Sequence, residues 1–169
     1  MRIAVASDHA GVELRAEMAD AARALGHEVV DLGPAPGVAI DYPINGALVG
    51  RLVASGEFDL GMLVCGTGVG ISIAANKIRG IRAVVCSEPF SAALSRQHNN
   101  SNVLALGARV VGPGLARLIV ESWLTSEFEG GRHARRVALI EEPETAETPG
   151  AALQPESARA VFDGRRGIK

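Results

Sequence analysis

The stretch Leu60-Gly61-Met62-Leu63-Val64-Cys65-Gly66-Thr67-Gly68-Val69-Gly70-Ile71-Ser72-Ile73-Ala74-Ala75-Asn76-Lys77 decides the fold. It opens with an apolar run of strand length through Cys65, turns on Gly66, Gly68 and Gly70, and continues in an expected helix from about Ile71 to Lys77. Strand, glycine loop and helix in this order make one unit of an α/β protein.

Outward from it the unit recurs. Ile3-Ala4-Val5-Ala6 leads through Ser7-Asp8-His9-Ala10-Gly11 to Leu14, Met18, Ala22 and Leu25 at helical spacing, with Gly26 as the stop. Glu28-Val29-Val30-Asp31 reads as a second strand, Gly33 to Tyr42 as a loop, and Ile44, Leu48 and Leu52 as a helix stripe closed by Gly56. Ala83-Val84-Val85-Cys86 and Val103-Leu104-Ala105-Leu106 read as buried strands separated by a helix around Ser91 to His98. Leu115, Leu118, Ile119 and Trp123 mark another helix behind Gly112-Pro113-Gly114, and Arg132 to Ile140 is the last. Strands of nearly continuous apolar character alternating with helices imply a parallel sheet covered on both faces. From Pro143 onward apolar periodicity fades, so the chain is expected to hold one domain over 1–142 and an extension over 143–169, mobile or packed on a partner subunit.

Composition bounds the function. With 169 residues, 47% hydrophobic and 21% charged, the chain can bury a core. Its 17 basic and 19 acidic side chains, with one Trp, one Tyr and four Phe, offer neither a basic phosphate-tracking face nor a stacking platform, so no nucleic acid is expected. No apolar run approaches the roughly 20 residues that span a bilayer, and Met1-Arg2-Ile3 enters a strand directly, so no membrane partner and a cytoplasmic location are expected. Cys65 and Cys86 suit a reducing compartment and cannot cage a zinc ion alone.

In open parallel sheets, sites lie at the carboxyl ends of strands, where Asp8-His9 and Cys65 to Gly70 fall. The glycines let the backbone approach a ligand, and the helix behind them aims unpaired N–H groups at an anion. The loop matches neither the dinucleotide fingerprint, since Ile71 replaces the last glycine, nor a nucleotide-binding loop ending in Gly-Lys-Ser/Thr. Cys65 sits where the macrodipole favours a thiolate, making it a candidate base or nucleophile. Cys86, in the middle of its strand, reads as a small buried hydrophobe and His27 as structural. His98, at a helix end, suits either acid–base work or a cap on the dipole, and Asp8 either a ligand contact or an N-cap. Arg132 and Arg136, four apart on one helix face, suit a phosphate. No three-ligand metal cluster is evident, and no metal or cofactor is expected.

Taken together, Ser7-Asp8-His9-Ala10-Gly11, Asp41-Tyr42-Pro43, the run from Cys65 to Lys77, Arg96-Gln97-His98-Asn99 and Gly130-Gly131-Arg132-His133 resemble the ribose-5-phosphate isomerase B family over roughly residues 1 to 140. The resemblance implies a Rossmann-like three-layer αβα sandwich with a mostly parallel five-stranded sheet. It implies a cofactor-free aldose–ketose isomerase acting on a phosphorylated sugar through an enediolate, with ribose 5-phosphate and ribulose 5-phosphate as the first expectation. Allose 6-phosphate, galactose 6-phosphate or erythrulose 4-phosphate are the alternatives, and a catalytically silent phosphosugar-binding domain the remaining one.

By the same resemblance Cys65 moves the proton between C1 and C2, Thr67 relays protons, and His98 protonates the ring oxygen to open the furanose. Gly66, Gly68, Val69 and Gly70 hold the oxyanion, Asp8, His9, Tyr42 and Asn99 contact hydroxyls or phosphate, and Arg109, Arg132 and Arg136 supply charge for the phosphate. Some relatives use a glutamate further along the loop instead of the cysteine; Ser72 and Ile73 offer no carboxylate, so the cysteine version applies. A homodimer or a tetramer built as a dimer of dimers is implied, with His98, Asn99 and Arg109 reaching into a site whose Cys65 belongs to the partner chain.

Overall fold

The computed structural model of the chain describes residues 1–145. Among them the order is β1 (Arg2–Ser7), α1 (Val12–Ala24), β2 (Glu28–Asp31), α2 (Tyr42–Ala54), β3 (Leu60–Cys65), α3 (Val69–Asn76), β4 (Ala83–Val85), α4 (Pro89–Asn99), β5 (Val103–Gly107), α5 (Pro113–Thr125) and α6 (Arg132–Thr145). Met1–Val137 forms one compact unit. The expected extension over 143–169 lies outside the described residues from 146 on.

The five strands stand in the order β2-β1-β3-β5-β4. Every pairing is parallel, where a mostly parallel sheet was expected. Because successive side chains of a strand face opposite ways, the strands feed two separate cores. Ile3, Val5, Met62, Val64, Leu104 and Leu106 pack with Leu14, Met18, Ile119 and Trp123 on the side of α1 and α5. Ala4, Ala6, Leu63, Cys65, Val103 and Ala105 pack with Val49, Val53, Ile71 and Ala75 on the side of α2 and α3. The result is three layers. Each fully buried Ile, Leu or Met contributes roughly 1.5–3 kcal/mol, which is why β1 carries no polar residue between the half-buried Arg2 and Ser7.

Some local readings are corrected. The face of α2 that turns inward is Asn45, Gly46, Val49, Gly50 and Val53, while Ile44 is exposed and Leu48 and Leu52 are half-buried. Close helix packing decides this: a Cβ on Gly46 would stand 2.6 Å from the Ile71 carbonyl oxygen of α3, so only a glycine ridge fits there. Tyr42 begins α2 rather than ending the loop. Leu115 and Leu118 of α5 are exposed, whereas Ile119 and Trp123 are fully buried. β4 is an edge strand with Val85 exposed, not a buried one, and Cys86 follows its end rather than lying mid-strand.

Candidate active site

β3 delivers Cys65 to the carboxyl edge of the sheet, 4% exposed. Gly68 then takes φ +80°, and in that left-handed conformation its N–H donates to Cys65 Sγ at 3.2 Å. A side chain at Gly68 would also meet the Leu106 carbonyl carbon at 3.0 Å. The cysteine at the strand end and the glycine three residues later are thus one device: the turn aims a backbone donor at sulfur, where it supports negative charge. Thr67 is exposed, and the Val69 N–H points at its Oγ1 at a long 3.4 Å. Burial pushes Cys86 up to about 11, with the Glu88 charge adding to it, so the second thiol is inert by comparison.

The neighbouring strand ends complete this edge. Asp8 is buried, and its Oδ1 accepts the Ala10 N–H at 2.9 Å, capping a single 3-10 turn (His9–Gly11) that presents His9 to solvent. Tyr42 lies across Gly70: a Cβ there would stand 2.6 Å from its ring. Arg109 follows β5, its N–H donating to the Gly66 carbonyl at 3.0 Å and its guanidinium carbon 3.6 Å from where a Gly66 side chain would begin. The structure therefore groups Arg109 with the Cys65 loop of its own chain, not with His98 and Asn99 as expected. Its position directly after the carboxyl end of β5, which pairs Gly107 with Cys65, is the reason.

His98 and Asn99 belong to another constellation. α4 starts after the carboxyl end of β4 and runs back, so its last turn lies at the amino edge of the sheet, where the Arg82 guanidinium donates to the Asn99 and Asn100 carbonyls at 3.1 and 2.9 Å. There the His98 ring stacks on His133 of α6, with centroids 4.2 Å apart and planes inclined by 5°. Arg132 and Arg136 are exposed beside them on the first turns of α6. Cys65 and His98 are thus separated within one chain by the length of the strands.

His133 and Glu129 escaped the reading of the sequence as functional groups. His133 stood in a quoted motif without a role, and Glu129 precedes α6, so helical spacing gave no reason to align the two. With His98 they offer three ligand atoms within 4.8 Å of one another, where no metal cluster was evident from spacing. Nearly parallel rings direct their lone pairs side by side instead of converging on one ion, and Arg132 Nε donates to His133 Nε2 at 3.2 Å. The group is better suited to holding a proton than a cation.

A cleft of about 860 Å³ opens beside His9, lined by Glu13, Glu17, Pro36, Ala108 and Val111 among others. Its acidic wall repels a phosphate, and Cys65 does not line it, so the chemistry is assigned to the Cys65 edge.

The Ribose/Galactose Isomerase family model matches residues 3–140. Ribose-5-phosphate isomerase B of Escherichia coli (strain K12) is 55% identical over 139 residues, 82% of this chain and 93% of that protein. The structure of ribose-5-phosphate isomerase B from Clostridium thermocellum superimposes with a TM-score of 0.83 at 53% identity, covering 85% of this chain and 97% of that one. That of the Mycoplasma genitalium enzyme with bound ribulose-5-phosphate gives 0.80 at 42%, covering 87% and 97%. No described helix is long and apolar enough to cross a membrane. The family model covers most of the chain and relatives above half identity share its fold, so the chain belongs to the ribose/galactose isomerase family.

Proposed function

We propose that the protein interconverts ribose 5-phosphate and ribulose 5-phosphate, without a cofactor, through an enediolate. The observation that carries this is the Gly68 N–H on Cys65 Sγ at 3.2 Å, at the loop where a member of this family would hold its base. Cys65 takes the proton from C2 of the open-chain aldose: the C–H bond breaks, S–H forms, and the electron pair becomes the enediolate. Returning the proton to C1 gives the ketose. Backbone donors of Gly66 to Gly70 hold the developing oxyanion, a role worth about 10²–10³ in rate per donor. Thr67 relays the proton between the two oxygens.

Before this, the furanose must open. His98 protonates the ring oxygen, and Asp8, His9, Tyr42 and Asn99 orient hydroxyls and phosphate. Arg109, Arg132 and Arg136 neutralise the phosphate with guanidinium forks suited to its oxygens. These groups act together only across two chains, because the Cys65 and His98 constellations occupy opposite sheet edges of one chain. The working unit is therefore a homodimer or a tetramer built as a dimer of dimers, in which Arg109 stays with its own Cys65 and His98, Asn99, Arg132 and Arg136 come from the partner. The isomerase domain spans 1–142, and the location is cytoplasmic.

Steady-state comparison of ribose 5-phosphate with allose 6-phosphate, galactose 6-phosphate and erythrulose 4-phosphate tests the reading. A clear kcat/KM preference for ribose 5-phosphate supports it. Preference for another of the four reassigns the substrate, and no turnover of any leaves a phosphosugar-binding domain.

A further inference from the structure

Glu129 and His133 have no part in the chemistry above, yet they enclose His98. The Glu129 backbone N–H donates to the Gln97 carbonyl at 3.0 Å, tying the loop between α5 and α6 to the residue before His98. The Glu129 carboxylate then lies 3.9 Å from His98 Nε2 and 3.6 Å from His133 Nε2. Both spacings exceed a hydrogen bond; the one to His98 favours an Nε2–H facing the carboxylate, whereas His133 Nε2 accepts from Arg132 Nε at 3.2 Å and so keeps its proton on Nδ1. The His133 side chain is only 6% exposed and covers one face of the His98 ring.

We propose that Glu129 and His133 are positioning residues for His98, fixing its ring plane and the nitrogen that carries its proton for transfer to the sugar ring oxygen. The inference rests on the isomerase reading and adds two residues to it. An imidazole at a helix end otherwise rotates about both side-chain torsions. A stacked ring blocks one rotation, and a carboxylate selects the tautomer, as orienting groups do for histidines in acid–base catalysis. Burial, helped by the charges of His98 and Arg132, holds His133 below the ordinary histidine range, so the stack need not carry two positive charges.

The test measures two rates on the full-length protein and on Glu129→Gln and His133→Asn. One is conversion of ribose 5-phosphate, which requires ring opening. The other is exchange of the C1 hydrogen of ribulose 5-phosphate in D₂O, followed by proton NMR. That ketose carries its phosphate on the oxygen that would close a furanose, so exchange needs only the enediolate step. Expected is a fall of about tenfold in kcat/KM for ribose 5-phosphate, a fraction of the 10²–10⁴ that a positioned general acid supplies, with exchange within about twofold of wild type. Equal losses in both rates mean a structural role and overturn the proposal, as does unchanged conversion. If His133→Asn does not fold, Glu129→Gln decides alone, its carboxylate being half exposed. A wild-type protein inert in both assays overturns the isomerase reading itself.

Discussion

Cys65 and His98 stand at opposite ends of one sheet. Cys65 pairs with Gly107 at the carboxyl edge, and Gly61 pairs with Val103 at the other. His98 lies beyond that second edge, in the turn of α4 that precedes β5. Four residues of strand at about 3.3 Å each separate the edges by roughly 13 Å. With the roles proposed above, one five-carbon substrate would have to be reached by Cys65 of one chain and His98 of another.

Mixed assemblies of Cys65→Ala and His98→Ala chains should therefore be active although each variant alone is nearly dead. Random exchange makes about half of the dimers mixed, and each of those holds one intact site and one doubly defective one, so activity should return to roughly a quarter of wild type. Exchange is verified first by mass spectrometry of differently tagged chains. Mixed dimers no better than the separate variants would put both residues in one chain's site.

Cys65→Ala should lower kcat by at least about 10²-fold while phosphosugar binding, measured by calorimetry, persists, because the base acts in the transition state. Cys86→Ala should retain activity. Iodoacetamide at pH 8 should inactivate through Cys65, since Cys86, held up at about 11, is almost wholly a thiol there. Inactivation that slows in the Cys86→Ala protein would contradict this assignment.

Gly68→Ala should cost about 1–3 kcal/mol in stability, the strain of a side chain at φ +80°. It should also lower kcat by moving the donor off Cys65. The atoms nearest a Cβ at Gly70 all belong to the Tyr42 ring, a side chain that can swing aside, so in Gly70→Ala stability should hold while KM rises. Urea midpoints and steady-state constants separate the two, and equal stability losses would show that the argument from contact atoms is wrong.

The Trp123 indole N–H donates to Ser101 Oγ at 2.8 Å, and Ser101 in turn meets Ser95 Oγ at 2.8 Å, all buried. Ser101→Ala removes the acceptor and leaves that N–H unsatisfied, a cost of about 1–3 kcal/mol. Urea unfolding followed by the fluorescence of this single tryptophan reads it. A midpoint unchanged from wild type would mean that water replaces the hydroxyl.

Because burial and nearby positive charge depress His133 below the ordinary 6.5, the unfolded chain binds the extra proton first on acidification. Its contribution to stability is complete above the unfolded value and is lost as pH falls through the folded one. Unfolding midpoints between pH 7.5 and 5 should decline less steeply in His133→Asn than in wild type. Parallel declines would place the acid sensitivity elsewhere.

Strand identity was legible because each run from Ile3, Leu60 and Val103 is unbroken by polar residues, and the Cys65 loop because three glycines in alternation have no role in a strand or a helix. The inward face of α2 was not legible: hydrophobicity points to Ile44 and Leu48, whereas contact geometry selects Gly46 and Gly50, and small residues carry no apolar signal. Arg109 is grouped with His98 by the family resemblance alone, since it falls in none of the motifs that carry it; placing β5 beside β3 is needed to see it at the Cys65 edge. His133 and Glu129 gained meaning only from the ring stack, a contact between helices that spacing along one helix does not encode.

The order β2-β1-β3-β5-β4 bears on how the chain is made. During synthesis, β1, β2 and β3 leave the ribosome in an order that lets them pair at once. Among the described residues β4 has β5 alone as its neighbour in the sheet; it emerges before β5 and waits unpaired for the intervening α4 and the next strand. The half of the protein bearing Cys65 can thus begin to assemble while the segment bearing His98 is still without an anchor, and an interruption of translation between residues 86 and 103 would leave an open strand edge at β3 for another nascent chain to occupy.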